Sequence, residues 1–578
     1  MFLWAFARQN GAVNRHIAST LGGKPMIGAF AIIDVLTQWP VEYVFGCPGT
    51  TEVPVLEQLS SDRPPRFILT THESVAVAMA DGYSRVTGGP SIALIHTTVG
   101  LSNALAHLFG ARLGYSPVVI LNGLKPRLIH GRRGFTTSPN PLEIVAPYVK
   151  WAWEVKSRGS LREDLVRALK ESVSSNGGPV YLGVPQDIME QEQDEESENW
   201  AAIANAFVIH PAVRPAQCVI QGMADMLTSS HRPVILAGNE VGRRKGVDCL
   251  VKLSETVNAA VLSEDRLASE INAFPTKHPN YVGIMSIPLL QRLAPDVMLV
   301  AGGRMFLEFE PRGNLPLGSQ CRVIHVHFDS RELADRYPYV FNVVADIREL
   351  CNDLCALIPP ASPVALDKWW AVRKGNSTSH TLPSLARQVE PLSVRSVLEV
   401  VGNFIQPNDI VVGDAVTSAE AVLSEIPRFD ELSYLTNASS GSLGWGIPAS
   451  LGVTLALPNR HVWAIVGDGT VHFALPALFT AKKYALNVTV IVLNNQSYAA
   501  VRAAYQRRGR TLVEAEGLVG TSLEGVYYAQ IAQGFGWKAQ RVETWYELEN
   551  ALKTARERSG PFLIEIMTDP HDVGPLSR

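Results

Sequence analysis

Short apolar runs alternate with helix-length stretches along almost the whole chain, and this alternation constrains the fold more than any other feature. The first third of the chain holds five β-rich runs, at residues 43–45, 66–69, 91–95, 117–121 and 180–184. The remainder holds eight more, at residues 233–236, 260–262, 297–300, 323–328, 410–412, 462–466, 488–493 and 562–566. Strands separated by helical crossovers form parallel sheets, so we predict an α/β protein of doubly wound parallel-sheet domains.

Two polar stretches divide the 578 residues, which are too many for one hydrophobic core. Residues 191–200 include five acids among ten, and residues 360–390 form a second polar stretch that holds Pro363, Gly375–Ser379 and Pro383. Both patterns are typical of solvated linkers. The predicted organisation is an N-terminal extension at 1–25, a first domain at 26–190, a linker at 191–210, a central domain at 211–359, a linker at 360–390 and a third domain at 391–578.

Charge and hydropathy exclude some classes of partner. The formal net charge is -4, which gives no electrostatic case for nucleic acid or an anionic membrane surface. No apolar run approaches the ~20 residues that span a bilayer. The six cysteines have no metal-binding or redox spacing, so we expect reduced thiols and a cytoplasmic protein.

Two strand ends carry the most specific motif. Gly467-Asp468-Gly469-Thr470 follows one apolar run, and Asn494-Asn495 follows the next, with Asn495 27 positions beyond Asp468. One strand–helix–strand crossover takes about that length, so both side chains are expected at the carboxyl ends of adjacent parallel strands. Either motif alone is common in turns, but such an edge binds phosphates, and Asp and Asn oxygens suit Mg²⁺. We predict a magnesium site of Asp468, Asn495 and the backbone carbonyl of Ser497.

These motifs resemble the signature of thiamine-diphosphate-dependent enzymes, and the resemblance extends from about Met26 onward. Further motifs that carry it are Phe45-Gly46-Cys47-Pro48-Gly49-Thr50, His72-Glu73, Ala80-Asp81-Gly82-Tyr83 and Ser440-Gly441-Ser442-Leu443-Gly444-Trp445-Gly446. Within that family the sequence is most similar to the benzoylformate decarboxylases, and acetolactate synthases share the same three domains. The resemblance implies pyrimidine-binding, central and diphosphate-binding domains, with thiamine diphosphate and Mg²⁺ as cofactors.

The resemblance also implies how the cofactor is activated. Glu73 matches the glutamate that hydrogen-bonds the pyrimidine ring and favours the imino tautomer, whose nitrogen takes the proton of the thiazolium C2. Leu443 matches the apolar residue that wedges the two rings into a V, and Gly441 would offer its carbonyl to the pyrimidine amine. The other expected cofactor contacts are Gly469, Thr470, Tyr498 and Thr417.

On the substrate side, the resemblance assigns two residues. His96 matches a histidine that handles protons at the reacting carbon, and imidazole suits that task near neutrality. Thr50 takes the place of a serine that holds the substrate carboxylate. The sequence also departs from its relatives: Phe309 stands at a second active-site histidine, Ala503 and Ala504 replace bulky aromatics, and Arg132 and Arg133 occupy an apolar loop. These departures count against benzoylformate itself as the substrate.

Three functions remain open on this basis. The first is non-oxidative decarboxylation of a 2-oxo acid, with possible carboligation. The second is acetolactate synthase-like carboligation to an acyloin or acetohydroxy acid. Loss of a proton donor favours attack of the enamine on a second carbonyl over its protonation, and a tenfold change in that ratio needs only ~1.4 kcal/mol. The third is a catalytically silent paralogue that binds the cofactor, against which the intact Glu73, Asp468 and Asn495 argue. FAD is not expected, because Gly238-Asn239-Glu240 is a bare strand-end turn.

The resemblance implies an assembly as well. In this family the glutamate-bearing domain of one subunit faces the diphosphate-binding domain of another. We therefore expect a homodimer or homotetramer whose active sites lie between subunits, with Glu73 and Asp468 of each site contributed by different chains. The expected partner is a small 2-oxo acid, with an aldehyde or a second 2-oxo acid as a possible acceptor.

Overall fold

The computed structural model describes three α/β domains. The described residues are 26–39, 41–60, 63–138, 140–193, 213–304, 307, 317, 320–334, 341–360, 391–509, 518–570 and 572. The predicted N-terminal extension and Phe309 lie outside them, as do all but the edges of the two predicted linkers.

The first domain is built on a six-stranded parallel sheet in the order β3-β2-β4-β5-β7-β6, with β1 and β8 forming a separate antiparallel pair. Its strands are β1 (Met26–Ile27), β2 (Tyr43–Cys47), β3 (Arg66–Leu69), β4 (Ser91–His96), β5 (Val118–Leu124), β6 (Trp151–Glu154), β7 (Val180–Pro185) and β8 (Glu192–Gln193). Its helices are α1 (Gly28–Gln38), α2 (Val53–Leu56), α3 (Glu73–Thr87), α4 (Thr97–Leu113), α5 (Arg127–His130), α6 (Pro141–Val145), α7 (Leu161–Val173) and α8 (Gln186–Glu190).

The central domain has a second parallel sheet, in the order β11-β10-β9-β12-β13-β14. The chain adds β10 and β11 on one side of β9 and then β12 to β14 on the other, as in dinucleotide-binding folds. Its strands are β9 (Pro233–Ala237), β10 (Ala260–Ser263), β11 (Tyr281–Ile284), β12 (Val297–Ala301), β13 (Arg322–His327) and β14 (Phe341–Val344). Its helices are α9 (Gln217–Thr228), α10 (Asn239–Arg243), α11 (Val247–Thr256), α12 (Ile287–Leu293) and α13 (Ile347–Leu357).

The third domain repeats the strand order of the first, as β16-β15-β17-β18-β20-β19, again all parallel. Its strands are β15 (Ile410–Asp414), β16 (Tyr434–Thr436), β17 (Val462–Gly467), β18 (Val488–Asn494), β19 (Lys538–Val542) and β20 (Phe562–Met567). Its helices are α14 (Val394–Phe404), α15 (Ala419–Glu425), α16 (Gly446–Ala456), α17 (Asp468–Lys483), α18 (Ala499–Arg507), α19 (Tyr528–Gly534) and α20 (Trp545–Glu557). Three parallel six-stranded sheets confirm the predicted fold class.

Helices α3 and α16 join the first and third domains into one hydrophobic core. Within this contact, a Cβ atom on Gly452 would lie 2.0 Å from the Met79 carbonyl oxygen, and one on Gly82 would lie 2.3 Å from that of Ala449. Both glycines are therefore required by close backbone approach. A single buried cluster runs from the first domain through both helices into the third, whereas the central domain has cores of its own.

Polar groups fix the same contact. Asp81 on α3 accepts a hydrogen bond of 2.7 Å from the Trp445 indole and one of 2.7 Å from Arg85 Nε. The Arg85 guanidinium in turn lies 4.8 Å from the centre of the Trp445 ring and donates to the Thr436 carbonyl oxygen at 2.7 Å. A buried acid paired with a buried cation and an indole donor defines the position of α3 relative to the third domain.

Within the described ranges, none of the helices combines the length and the apolar character that crossing a bilayer requires. All six cysteines are free thiols.

Candidate functional site

The carboxyl ends of β17 and β18 lie side by side, as the crossover spacing predicts. The two strands are parallel neighbours, with Gly467 opposite Leu493, and α17 begins at Asp468 directly after β17. Asp468 Oδ2 and Asn495 Oδ1 both accept hydrogen bonds from the Ser497 backbone N–H, at 3.3 and 3.1 Å. The three residues predicted to bind the metal are thus brought to one point.

This point suits a divalent cation. Asp468 is only 4% exposed, and burial raises the pKa of its carboxyl group to about 6. Its hydrogen bonds come from backbone amides, and no lysine, arginine or histidine of the described ranges lies within ion-pair distance of it. The Ser497 hydroxyl is also buried without a described hydrogen-bond partner. A carboxylate, an amide oxygen and a carbonyl oxygen form the hard donor set that Mg²⁺ prefers.

The predicted diphosphate contacts surround the same edge. Gly469 lies in the first turn of α17, where a Cβ would come within 2.7 Å of the Tyr498 ring. Thr417 lies in the turn after β15. The Thr470 hydroxyl donates to the carbonyl oxygens of Gly467 (2.8 Å) and Asp414 (3.1 Å), so it ties two strand ends together. Its backbone N–H, at the amino end of α17, remains the group suited to a phosphate.

The loop that carries Leu443 is held by an acid that the sequence analysis missed. Asp414, at the end of β15, accepts hydrogen bonds from the N–H groups of Gly444 (3.1 Å) and Gly446 (3.0 Å), and burial raises its pKa to about 6. Leu443 is partly exposed, while Gly441 lies at the exposed tip of the loop with φ +63°. The signal for Asp414 was available, because it ends a predicted strand at the same sheet edge.

Glu73 begins α3 and is 8% exposed. Its Oε2 accepts a hydrogen bond of 3.0 Å from the Asn103 amide on α4, and a Cβ on Gly100 would lie 2.9 Å from its Oε1. The His72 side chain caps the helix by accepting from the Ser74 N–H at 3.2 Å. The carboxylate is therefore held by packing against Gly100 and by the Asn103 amide. Neither neighbour was predicted from the sequence.

His96 ends β4 and is held by a buried carboxylate. Its Nδ1 lies 2.9 Å from Glu52 Oε2 and 2.9 Å from the Thr51 hydroxyl oxygen. Glu52 is fully buried and also accepts from the Gly49 N–H at 2.7 Å. A carboxylate at Nδ1 favours the tautomer with a proton there, which leaves Nε2 for exchange with a ligand.

Thr50 lies beside this pair, at an exposed position of the 3-10 turn Thr50–Glu52. Its hydroxyl accepts a hydrogen bond of 3.4 Å from Lys125 Nζ, just beyond the end of β5. Sequence reasoning missed Thr51, Glu52 and Lys125. All three follow strands of one sheet, as Asp468 and Asn495 do, because β2, β4 and β5 are neighbours whose carboxyl ends meet.

Three domain models of one family match the chain, each on one of these domains. The N-terminal thiamine pyrophosphate enzyme domain matches residues 26–144, the central domain matches 220–354 and the C-terminal thiamine pyrophosphate binding domain matches 415–566. Together they cover more than half of the chain and follow the observed order. The chain belongs to the family of thiamine-diphosphate-dependent enzymes.

Relatives within this family include both decarboxylases and carboligases. Benzoylformate decarboxylase of Pseudomonas aeruginosa is 29% identical over 93% of this chain and 98% of its own length. Acetolactate synthase isozyme 1 large subunit of Escherichia coli is 26% identical, over 95% of each chain. The solved 4-hydroxybenzoylformate decarboxylase of Rhodococcus jostii RHA1 is 27% identical, with a TM-score of 0.84 over 94% of this chain and 99% of its own.

The structure describes four of the five residues at which the sequence departs from its relatives. Ala503 is fully buried and Ala504 partly buried on α18. Arg132 and Arg133 are exposed after α5, and Arg133 has φ 51°. From Lys125 to Arg133 the chain contains four lysine and arginine residues and no acid. One of the four, Arg127, is paired with Asp187 at 2.8 Å.

Proposed function

We propose that this enzyme decarboxylates a 2-oxo acid, using thiamine diphosphate and Mg²⁺. The observation that carries the proposal is the pair of His96 and buried Glu52 at the end of β4, because a positioned imidazole can supply the proton that releases an aldehyde product. Similarity to benzoylformate decarboxylase over nearly all of both chains supports this reaction type.

The cofactor would be held by residues at the β17–β18 edge. Asp468, Asn495 and the Ser497 carbonyl would bind Mg²⁺, and Mg²⁺ in turn the diphosphate. The remaining proposed contacts are Gly469, the Thr470 N–H, Tyr498 and Thr417. Thiamine diphosphate supplies, when bound, the nucleophilic carbon and electron sink that allow a 2-oxo acid to lose CO₂.

Activation would depend on Glu73, Leu443 and Gly441. The buried Glu73 carboxyl would share a proton with the pyrimidine ring nitrogen, since a dry site strengthens that hydrogen bond. Leu443 would hold the two rings together, and the Gly441 carbonyl would accept from the pyrimidine amine. Thr50 and Lys125 would bind the substrate carboxylate, for which a hydroxyl and an ammonium are suitable donors.

We expect His96→Ala to slow aldehyde release by about 100-fold or more, with a smaller effect on CO₂ release, because only the later step needs the imidazole proton. Stopped-flow detection of each product measures both. Glu52→Gln is expected to slow aldehyde release by a smaller factor, since a neutral amide holds the His96 ring in place less strongly than the carboxylate does. The exposed His231→Ala is the control. Equal loss of both products in His96→Ala would assign the residue to substrate binding instead.

Carboligation is the second candidate. The acetolactate synthase relatives favour it. FAD is not expected in either case, because Gly238-Asn239-Glu240 is a bare strand-end turn. A silent paralogue is disfavoured by the intact Glu73, Asp468 and Asn495.

The experiment that separates these functions is incubation with aliphatic, aromatic and dicarboxylic 2-oxo acids, each with and without an aldehyde. Mass spectrometry then measures CO₂ and the organic product. Aldehyde alone is the expected result and supports the decarboxylase. Hydroxyketones or acetohydroxy acids would assign the carboligase. CO₂ from none of the acids, in protein shown to be loaded with cofactor, would contradict both.

We also propose a cytoplasmic homodimer or homotetramer with active sites between subunits. Val99, on α4 near Glu73, and Phe473, on α17 near the metal edge, are each 53% exposed in the single chain. A partner subunit that completed the site would cover both side chains.

A further inference from the structure

A cavity of about 160 Å³ lies between the first and central domains, away from the cofactor edge. Its walls include the end of α3, the residues just before β5, the turn after α7 and the end of α10. In a parallel sheet the residues before β5 lie at the amino edge, whereas Glu52, His96 and Lys125 lie at the carboxyl edge. The volume far exceeds the ~10–15 Å³ that one water needs.

Three buried polar atoms in the walls lack hydrogen-bond partners among the residues that the structure describes. They are Ser116 Oγ, Asn176 Nδ2 and Arg243 Nε. Buried polar groups are normally satisfied, so three such atoms around one cavity indicate a polar occupant. The arginine and amide nitrogens can only donate, and a hydroxyl can donate as well. The missing partner is therefore an acceptor.

The cavity walls carry three arginines, Arg85, Arg243 and Arg244, and one acid, Glu270. Arg85 is paired with Asp81 at 2.7 Å and faces Glu270 at 3.8 Å, and Arg244 lies 3.8 Å from Glu240 and 3.9 Å from Asp346.

Arg243 has no carboxylate within ion-pair distance in the described ranges, and its guanidinium lies 4.8 Å from the centre of the Tyr115 ring. Burial and the nearby Arg304 lower its pKa, whereas Glu240 and Glu270 oppose that shift. A buried guanidinium with no carboxylate in direct contact favours an anion beside it.

We propose that this cavity binds a small oxyanion, a phosphate or a short carboxylate, through Arg243, Asn176 and Ser116. Ser116 and Asn176 belong to the first domain and Arg243 to the central domain. The bound anion therefore bridges two domains and holds them together. This site is separate from the catalytic one and does not depend on the reaction proposed above.

The test is titration calorimetry with inorganic phosphate and, separately, with acetate, on protein saturated with thiamine diphosphate and Mg²⁺. Saturation, measured beforehand, keeps phosphate out of the diphosphate site. Binding of one or both anions is expected, together with a higher unfolding temperature. Phosphate alone assigns a tetrahedral anion, and acetate alone assigns a carboxylate.

Arg243→Gln is expected to weaken anion affinity at least tenfold, because it removes a charge-assisted donor. Asn176→Ala should weaken it several-fold without changing charge, which keeps the proposal testable if the arginine variant does not fold. Lys245→Gln, an exposed cation two positions away that does not line the cavity, is the control and should bind as the parent does. Binding of neither anion, or parental affinity in both cavity variants, would overturn the proposal and assign the cavity to water.

Discussion

Replacing Asp468 by alanine is expected to abolish Mg²⁺-dependent binding of thiamine diphosphate. The carboxylate supplies the only formal negative charge among the three proposed ligands, and it is buried where water cannot replace it well. Loss of an outer neighbour of a metal ligand commonly costs 10–100-fold in affinity, so we expect loss of the charged ligand itself to cost at least about 100-fold. Calorimetric titration of the cofactor, with and without MgCl₂, measures the effect.

The matched control for this variant is Asp430→Asn in the same domain. Asp430 faces Arg460 at 3.4 Å in a surface ion pair, and pairs of that kind contribute little to stability. The control should therefore bind cofactor as the parent protein does. Unchanged Mg²⁺-dependent affinity in Asp468→Ala would remove the metal assignment and, with it, the proposed role of the β17–β18 edge.

Glu73→Gln is expected to retain cofactor binding but to slow hydrogen–deuterium exchange at the thiazolium C2 by about 100- to 10,000-fold, the usual range for a lost acid–base group. Glutamine fills the same space beside Gly100 and can still accept the Asn103 hydrogen bond. It cannot share its proton with a ring nitrogen. Quenched-exchange NMR of the bound cofactor measures the rate directly, without a known substrate.

The corresponding control is Glu57→Gln, an exposed acid after α2 in the same domain. It should exchange the C2 proton at the parental rate. Parental exchange in Glu73→Gln, with the cofactor bound, would show that the activating group lies elsewhere. Because binding and exchange are measured separately, this result would leave the Asp468 prediction unaffected.

The sequence predicted the strands at the centre of each sheet and missed several at the edges. Strands β6, β11, β14, β16 and β19 were not predicted, and each lies at the edge of its sheet. Four of them carry partly or fully exposed side chains, so their sequences lack the continuous apolar run of a strand buried on both faces. The fifth, β16, is buried but only three residues long.

The site was predictable where local spacing determines geometry. Asp468 and Asn495 are separated by one crossover, and the parallel pairing of β17 with β18 is sufficient to place them together. The contacts of His96 with Glu52, 44 positions away, and of Glu73 with Asn103 depend on how separate elements pack. No periodicity in the sequence encodes those contacts. The shared core of the first and third domains was missed for the same reason, because α3 and α16 are far apart in the chain.

The glycine-lined crossing of α3 and α16 has a mechanical consequence. Glu73 is the first residue of one helix, and the loop bearing Leu443 leads directly into the other. With backbone against backbone at Gly82 and Gly452, no side chain can rotate to absorb a displacement. If the active sites lie between subunits, the rigid helix pair of each chain carries two groups that serve different sites. Glu73 serves the partner's cofactor, and Leu443 serves the cofactor of its own chain. A shift of this helix pair would therefore move both groups together.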